Sequence, residues 1–172
     1  MNRKDLDEIL EKNFSNVNLW LNFAEAKNAA NIAFVVACIA AIFSLQSKNA
    51  ILFITCVLLI GSGMSSLISF LPMLGNKERK NFPIKKRKKK INGDNLIFFE
   101  NIKKYSVDDY IKQISKMYWG DDKFAPTKYQ IDLSEEIVCN SNIASRKYKL
   151  FKIAVYLDIV AFLLLAIFIM LA

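Results

Sequence analysis

The sequence predicts an all-α integral membrane protein. It has three transmembrane helices and a small helical cytoplasmic part, with two long helices continuous across the membrane boundary. Three observations predict this. First, 53% hydrophobic residues coexist with a net charge of +8 in 172 residues, which requires apolar and charged residues to be segregated along the chain. Second, the apolar residues cluster at 29–45, 50–74 and 153–172. Third, the run "KERKNFPIKKRKKK" at 77–90, nine of whose fourteen residues are Lys or Arg, follows the second cluster.

The clusters are read by length. A helix rises about 1.5 Å per residue and the hydrocarbon core is about 30 Å thick, so roughly 20 residues span it. Residues 50–74 and 153–172 reach that length, and 29–45 lies at the short end of the range of about 17–25. Too little polar helix remains for these blocks to be the core of a soluble bundle. No cleaved signal is expected, because the first block follows an acidic, Asn-rich leader and no small-residue cleavage site precedes a mature domain.

The basic run sets orientation, since Lys/Arg-rich flanks stay in the cytoplasm. The linker "QSKN" at 46–49 carries one Lys. Residues 1–28 and 75–149 are therefore expected inside, and the C-terminus at or near the far face of the membrane. Each basic residue near an anionic leaflet adds about 1 kcal/mol of attraction. The run carries too few aromatics for base stacking, so it reads as a headgroup anchor and not as a nucleic-acid site.

The chemistry of an enzyme is hard to assemble here. There is no histidine, which removes Ser-His and Cys-His nucleophiles and most zinc sites. Cys38, Cys56 and Cys139 have neither metal-ligand nor disulfide-framework spacing. No catalytic residue, metal or cofactor is expected.

Along the chain, Leu6, Ile9, Leu10, Phe14, Val17, Leu21 and Ala24 recur at helical spacing, and one helix is predicted over 3–43. Within it Ala26, Ala30, Ala33, Ala37 and Ala40 form a heptad seam of small residues that admits a close neighbour. Gly61, Ser65 and Ser69, with Ser62 and Ser66 beside them, form a stripe on the second span and are its expected partner. "NGD" at 92–94 reads as a turn, and "NLIFFENI" at 95–102 as a strand or a helical turn. "SVDDYIKQISKMY" at 106–118 reads as a helix with Ser106 as N-cap and Asp109 at the capping-box position. "WGDDKFAP" breaks it, and from about residue 127 a helix continues into the third span.

Asp158 lies inside the last block, about 9 Å past Lys152 by helical rise. An acid in a span costs about 2.5–3.5 kcal/mol and faces protein or water. The same count puts Ser69, Ser66 and Asn31 about 7.5, 12 and 4.5 Å past their own edges. A polar layer of Asp158, Ser66, Ser69 and Asn31 is predicted, serving as a gate or a subunit contact.

"WLNFAEAKNAANIAF" at 20–34 resembles the approach to the first membrane helix in the Pycsar transmembrane effector (PycTM) family, whose members carry an A-E/D-x-K motif before the span; Ala24, Glu25, Lys27 and Asn28 match it. "SFLPML" at 69–74 resembles the Pro-containing end of the second span. "LIFFENI" at 96–102 is similar to the apolar-aromatic element after the basic loop. "NSNIASRKYKLFKIA" at 140–154 is similar to the approach to the last span. The ordered set covers nearly the whole chain. The resemblance implies a bacterial anti-phage effector that answers a cyclic nucleotide (cyclic CMP or UMP, or a cyclic oligonucleotide) from a partner cyclase and compromises the inner membrane, a form of abortive infection. It departs from familiar sensors in lacking a cyclic-nucleotide-binding jelly roll.

A nucleotide needs cations for phosphate and an aromatic face for its base. Lys27, Arg146 and Lys147 are the candidate cations. Phe98, Phe99 and Tyr105, with Tyr118 and Trp119, are the candidate aromatics. Glu25, Asn28, Ala30, Ala33, Ala37, Gly61, Ser65 and Ser69 are the candidate packing or homo-oligomer residues. Two other functions stay open on the residues: a constitutive holin-like toxin, and a membrane scaffold that docks a protein.

Overall fold

A computed structural model describes residues 3–47, 49–72, 93–120 and 125–171. The basic run at 77–90 lies outside the described residues. Every regular element among them is helical: α1 (Arg3–Ser44), α2 (Ala50–Ile68), α3 (Phe99–Ile102), α4 (Val107–Ile114), a π turn (Ser115–Trp119) and α5 (Lys128–Leu171). α1, α2 and α5 are long and apolar enough to cross a membrane. Neither α1 nor α5 contains Gly or Pro, so nothing in the backbone interrupts their hydrogen-bond ladders. Both helices supply residues to two compact units. Unit one is Met1–Asn22 with Met73–Ser145, and unit two is Phe23–Pro72 with Arg146–Ala172.

Unit one buries apolar side chains, as a water-soluble bundle does. Leu6, Leu10 and Val17 of α1, Ile102 of α3, Ile111 and Ile114 of α4 and Ile137 of α5 are all within 2% of full burial. "NLIFFENI" forms a helical turn and not a strand: the Asn95 side chain accepts from the Ile97 amide (2.9 Å) and α3 follows. Ser106 caps α4 by accepting from the Asp109 amide at 3.1 Å, which is the predicted start. The π turn closes at Gly120, whose φ of +72° is left-handed and suits glycine.

Two tyrosines tie unit one together. The Tyr110 hydroxyl accepts from Asn13 (3.1 Å) and donates to the Leu96 carbonyl (3.1 Å), joining α4, α1 and the loop before α3. The Tyr105 hydroxyl donates to Asp94 (3.2 Å), which also binds Lys104 (2.8 Å). Burial, and then the Asp94 carboxylate, push the Tyr105 phenol up to about 12. A raised phenol favours the folded state below its unfolded value of about 10 and loses that contribution as pH climbs through the folded value. Unit one is therefore expected to lose stability between about pH 10 and 12. A phenolate absorbance titration should show Tyr105 ionising late in the intact protein; ionisation of every tyrosine near the ordinary value would contradict this.

Unit two has the opposite arrangement. Phe53 (71% exposed), Leu163 (61%) and Ile169 (68%) point outward, while Asn31, Thr55, Ser62, Ser66 and Asp158 are buried. In water this would be an unstable inversion. In lipid, large apolar groups face acyl chains, and small and polar groups pack between helices. α2 has 19 residues, about 28 Å, close to the hydrocarbon thickness. It ends at Ile68, six residues before the apolar block does. The Ser69 hydroxyl turns back onto the Ser66 carbonyl (2.7 Å), Phe70 and Leu71 form tight turns on Leu67 and Ile68, and Pro72 disfavours helix in the residue before it.

The alanine seam does not meet the serine stripe. Ala26, Ala30, Ala33, Ala37 and Ala40 are exposed. The buried face of α1 in this unit is Ala24, Asn28, Asn31, Val35 and Ile42. It has the same four-three rhythm displaced by two residues, about 200° around a helix and thus the opposite side. The Gly61–Ser65–Ser69 stripe packs on α5 instead. A Cβ at Gly61 would meet Leu157 at 3.5 Å, and the Ser65 hydroxyl donates to the Leu150 carbonyl at 2.9 Å. The tight approach of α2 to α1 is at Gly63, where a Cβ would meet Val35 at 3.3 Å.

Candidate functional site

Two polar assemblies stand out in unit two. The first is a clamp of three helices built on Lys147 of α5. Its Nζ donates to the Ser69 carbonyl at the end of α2 (2.9 Å) and pairs with Glu25 of α1 (3.1 Å). It also lies 5.3 Å from the Phe70 ring centroid. Unpaired carbonyls at a helix C-terminus carry partial negative charge, so a cation fits there. Asn28 of α1 completes the clamp: its Nδ2 donates to Ala24 O (2.8 Å) and reaches Lys147 O (3.4 Å). Next to Asn28 in the chain, Lys27 sits over the rings of Tyr148 (5.3 Å) and Phe151 (5.9 Å). The Ala-Glu-x-Lys motif thus has a local physical role. Its Ala24 is fully buried, its Glu25 pairs with Lys147, and its Lys27 makes cation–π contacts.

The second assembly is the intramembrane polar layer. Asn31 Nδ2 donates to Ser62 Oγ (2.9 Å) and Ser66 Oγ (3.1 Å). Asp158 hydrogen-bonds with Ser62 and Asn31, and its Oδ1 is buried without a hydrogen-bond partner. The predicted layer therefore exists with one exchange. Ser69 is turned to its own helix and contributes a carbonyl to the clamp, while Ser62 takes the central place. The signal for Ser62 was its spacing from Ser66, one turn along the same face.

The residues proposed to hold a nucleotide fall into both units. In unit one, Phe98 and Phe99 lie 4.9 Å apart, with Trp20 against both (6.2 and 5.7 Å). Phe98 is exposed, whereas Phe99 and Tyr105 are buried in the core. In unit two Lys147 is buried in the clamp, Arg146 is half-buried and Lys27 is exposed. Phe99, Tyr105 and Lys147 thus have structural positions, and Phe98, Lys27 and Arg146 keep accessible surface. Sequence reasoning also missed Lys103, which binds Glu100 and the Ser145 hydroxyl.

A family model described as the Pycsar effector protein domain (PycTM) matches residues 9–172. The chain belongs to the Pycsar effector family. No curated protein and no solved structure matches it. The match covers both assemblies, α2, α5 and α1 from residue 9 onward, so this Pycsar effector is a membrane effector of anti-phage defence. The clamp and the polar layer are where its membrane helices hold one another.

Proposed function

We propose that this Pycsar effector responds to a cyclic nucleotide, oligomerises and breaches the bacterial inner membrane, without catalysis and without a cofactor. Residues 1–28 and the region after α2 lie in the cytoplasm and the C-terminus at the outer face. The observation that carries the membrane part is the Asn31–Ser62–Ser66–Asp158 layer. Neutral polar groups suffice to hold the helices of a passive anchor together, and an acid buried in its span adds a cost of insertion. A helix assembly that must come apart in response to a signal gains from both, because water can replace every contact they make. α1 and α5 support the coupling: each is one unbroken helix with residues in both units. A nucleotide that binds one helical arrangement better than another shifts the population toward it.

The test is dye entry into bacteria that express the protein together with a panel of nucleotide cyclases. Leakage with one cyclase, lost when that cyclase is catalytically dead, is the expected result and names the ligand class. Leakage with no cyclase would make the protein a constitutive toxin. Intact membranes with every cyclase would refute the breach.

A further inference from the structure

The buried interior of unit two changes character along its depth. Toward the clamp it is polar: Asn31, Ser62, Ser66 and Asp158. Toward the α1–α2 turn Val35, Ile42, Leu52 and Leu59 form one apolar cluster with Ala161, and the buried Thr55 hydroxyl there is turned onto the Ile51 carbonyl of its own helix (2.8 Å). The change occurs within one helical turn on every helix. Val35 follows Asn31 by four residues, Leu59 precedes Ser62 by three, and Ala161 follows Asp158 by three.

Asp158 is the only Asp, Glu, Lys or Arg in residues 28–47, 49–72 and 153–171. It is 7% exposed, and its Oδ1 has no hydrogen-bond partner. Its partners Ser62 and Asn31 are neutral. A carboxylate buried without a countercharge is far from its preferred solvation. Water would supply what it lacks, and the apolar cluster keeps water from passing through.

We propose that the breach is a cation-preferring aqueous path, with Asp158 setting the charge preference and the Val35, Ile42, Leu52 and Leu59 cluster forming its apolar gate. This rests on the reading that the effector permeabilises the membrane. In the closed state the cluster stays dry and blocks ions, as hydrophobic constrictions do. When the helices part, the Asn31, Ser62 and Ser66 side chains line the wetted face and the Asp158 carboxylate meets water there. A carboxylate about 4 Å from a passing ion in water enriches cations roughly fivefold and depletes anions by about the same factor, a cation-over-anion preference of roughly 30-fold. No basic side chain in these stretches offsets it.

The test uses the full chain in phosphatidylethanolamine/phosphatidylglycerol vesicles under a KCl gradient, with the reversal potential as readout. Leu59→Asn wets the gate and should conduct without any nucleotide. In that background K⁺ is expected to pass roughly 30-fold better than Cl⁻, falling to about equal when Asp158→Asn is added and persisting with Asp158→Glu. Circular dichroism and a monodisperse elution check folding, and Val35→Asn serves if Leu59→Asn does not fold. Wild-type protein with cyclic CMP or cyclic UMP runs in parallel. A path equally open to K⁺ and Cl⁻ whatever stands at position 158 would overturn the proposal, even if the nucleotides open the wild type. Folded gate variants that do not conduct would overturn it too. Selective gate variants beside a silent wild type would uphold it and count instead against gating by these two nucleotides.

Discussion

Lys147→Met is expected to destabilise unit two by about 1.5–3 kcal/mol, the range for a hydrogen bond made by a charged group. Met keeps the stem's packing and removes only the ammonium. What is lost is the 2.9 Å bond to the Ser69 carbonyl and the 3.1 Å pair with Glu25. These do not weigh equally. The Glu25 side chain is 46% exposed against 10% for Lys147, so water solvates it once the pair is gone, and Glu25→Gln should cost less than about 1 kcal/mol. The Ser69 carbonyl is held at the end of a membrane helix, where a lost donor is harder to replace. Denaturant titration in micelles should therefore show an asymmetric pair of variants, and equal losses would mean that the ion pair and not the carbonyl dominates. If the clamp holds the closed arrangement, Lys147→Met should also lower the level of cyclase needed for dye entry.

Tyr110→Ala is expected to cost unit one about 3–5 kcal/mol, as for other buried aromatics cut to alanine. The side chain is fully buried, and its hydroxyl bridges Asn13 and the Leu96 carbonyl. Tyr110→Phe keeps the ring and strands those two groups, at about 1–3 kcal/mol. Both tryptophans, Trp20 and Trp119, lie in the segments of unit one, so intrinsic fluorescence during chemical denaturation follows this unit. Equal effects of the two variants would show that the hydroxyl and not the ring carries the site.

Much of the helical plan was legible because it depends on local physics. The helix predicted over 3–43 is α1 (Arg3–Ser44), since no Gly or Pro interrupts it and apolar residues recur at helical spacing. Ser106 was legible as a cap because capping involves only the next three residues. The end of α2 was misplaced because hydropathy alone ignores a serine that caps its own turn and the backbone restriction before Pro72. The alanine seam was misassigned for a different reason. α1 carries two seams of identical rhythm, and spacing alone does not tell which faces the other helices. In lipid the usual guide, apolar inside and polar outside, is reversed.

The sequence by itself determined the membrane class, the three helices long and apolar enough to cross a membrane, the two unbroken helices, the polar layer around Asp158 and the family. Each follows from length, composition, periodicity or motif order. Only the tertiary structure decided which face of α1 is buried, that the Gly61–Ser65–Ser69 stripe meets α5, that Ser62 replaces Ser69 in the layer and that Lys147 caps α2. The physical reason is that these are pairings between helices far apart in sequence. A side chain's partner there is set by rotation about a helix axis, and a shift of two residues reverses the face.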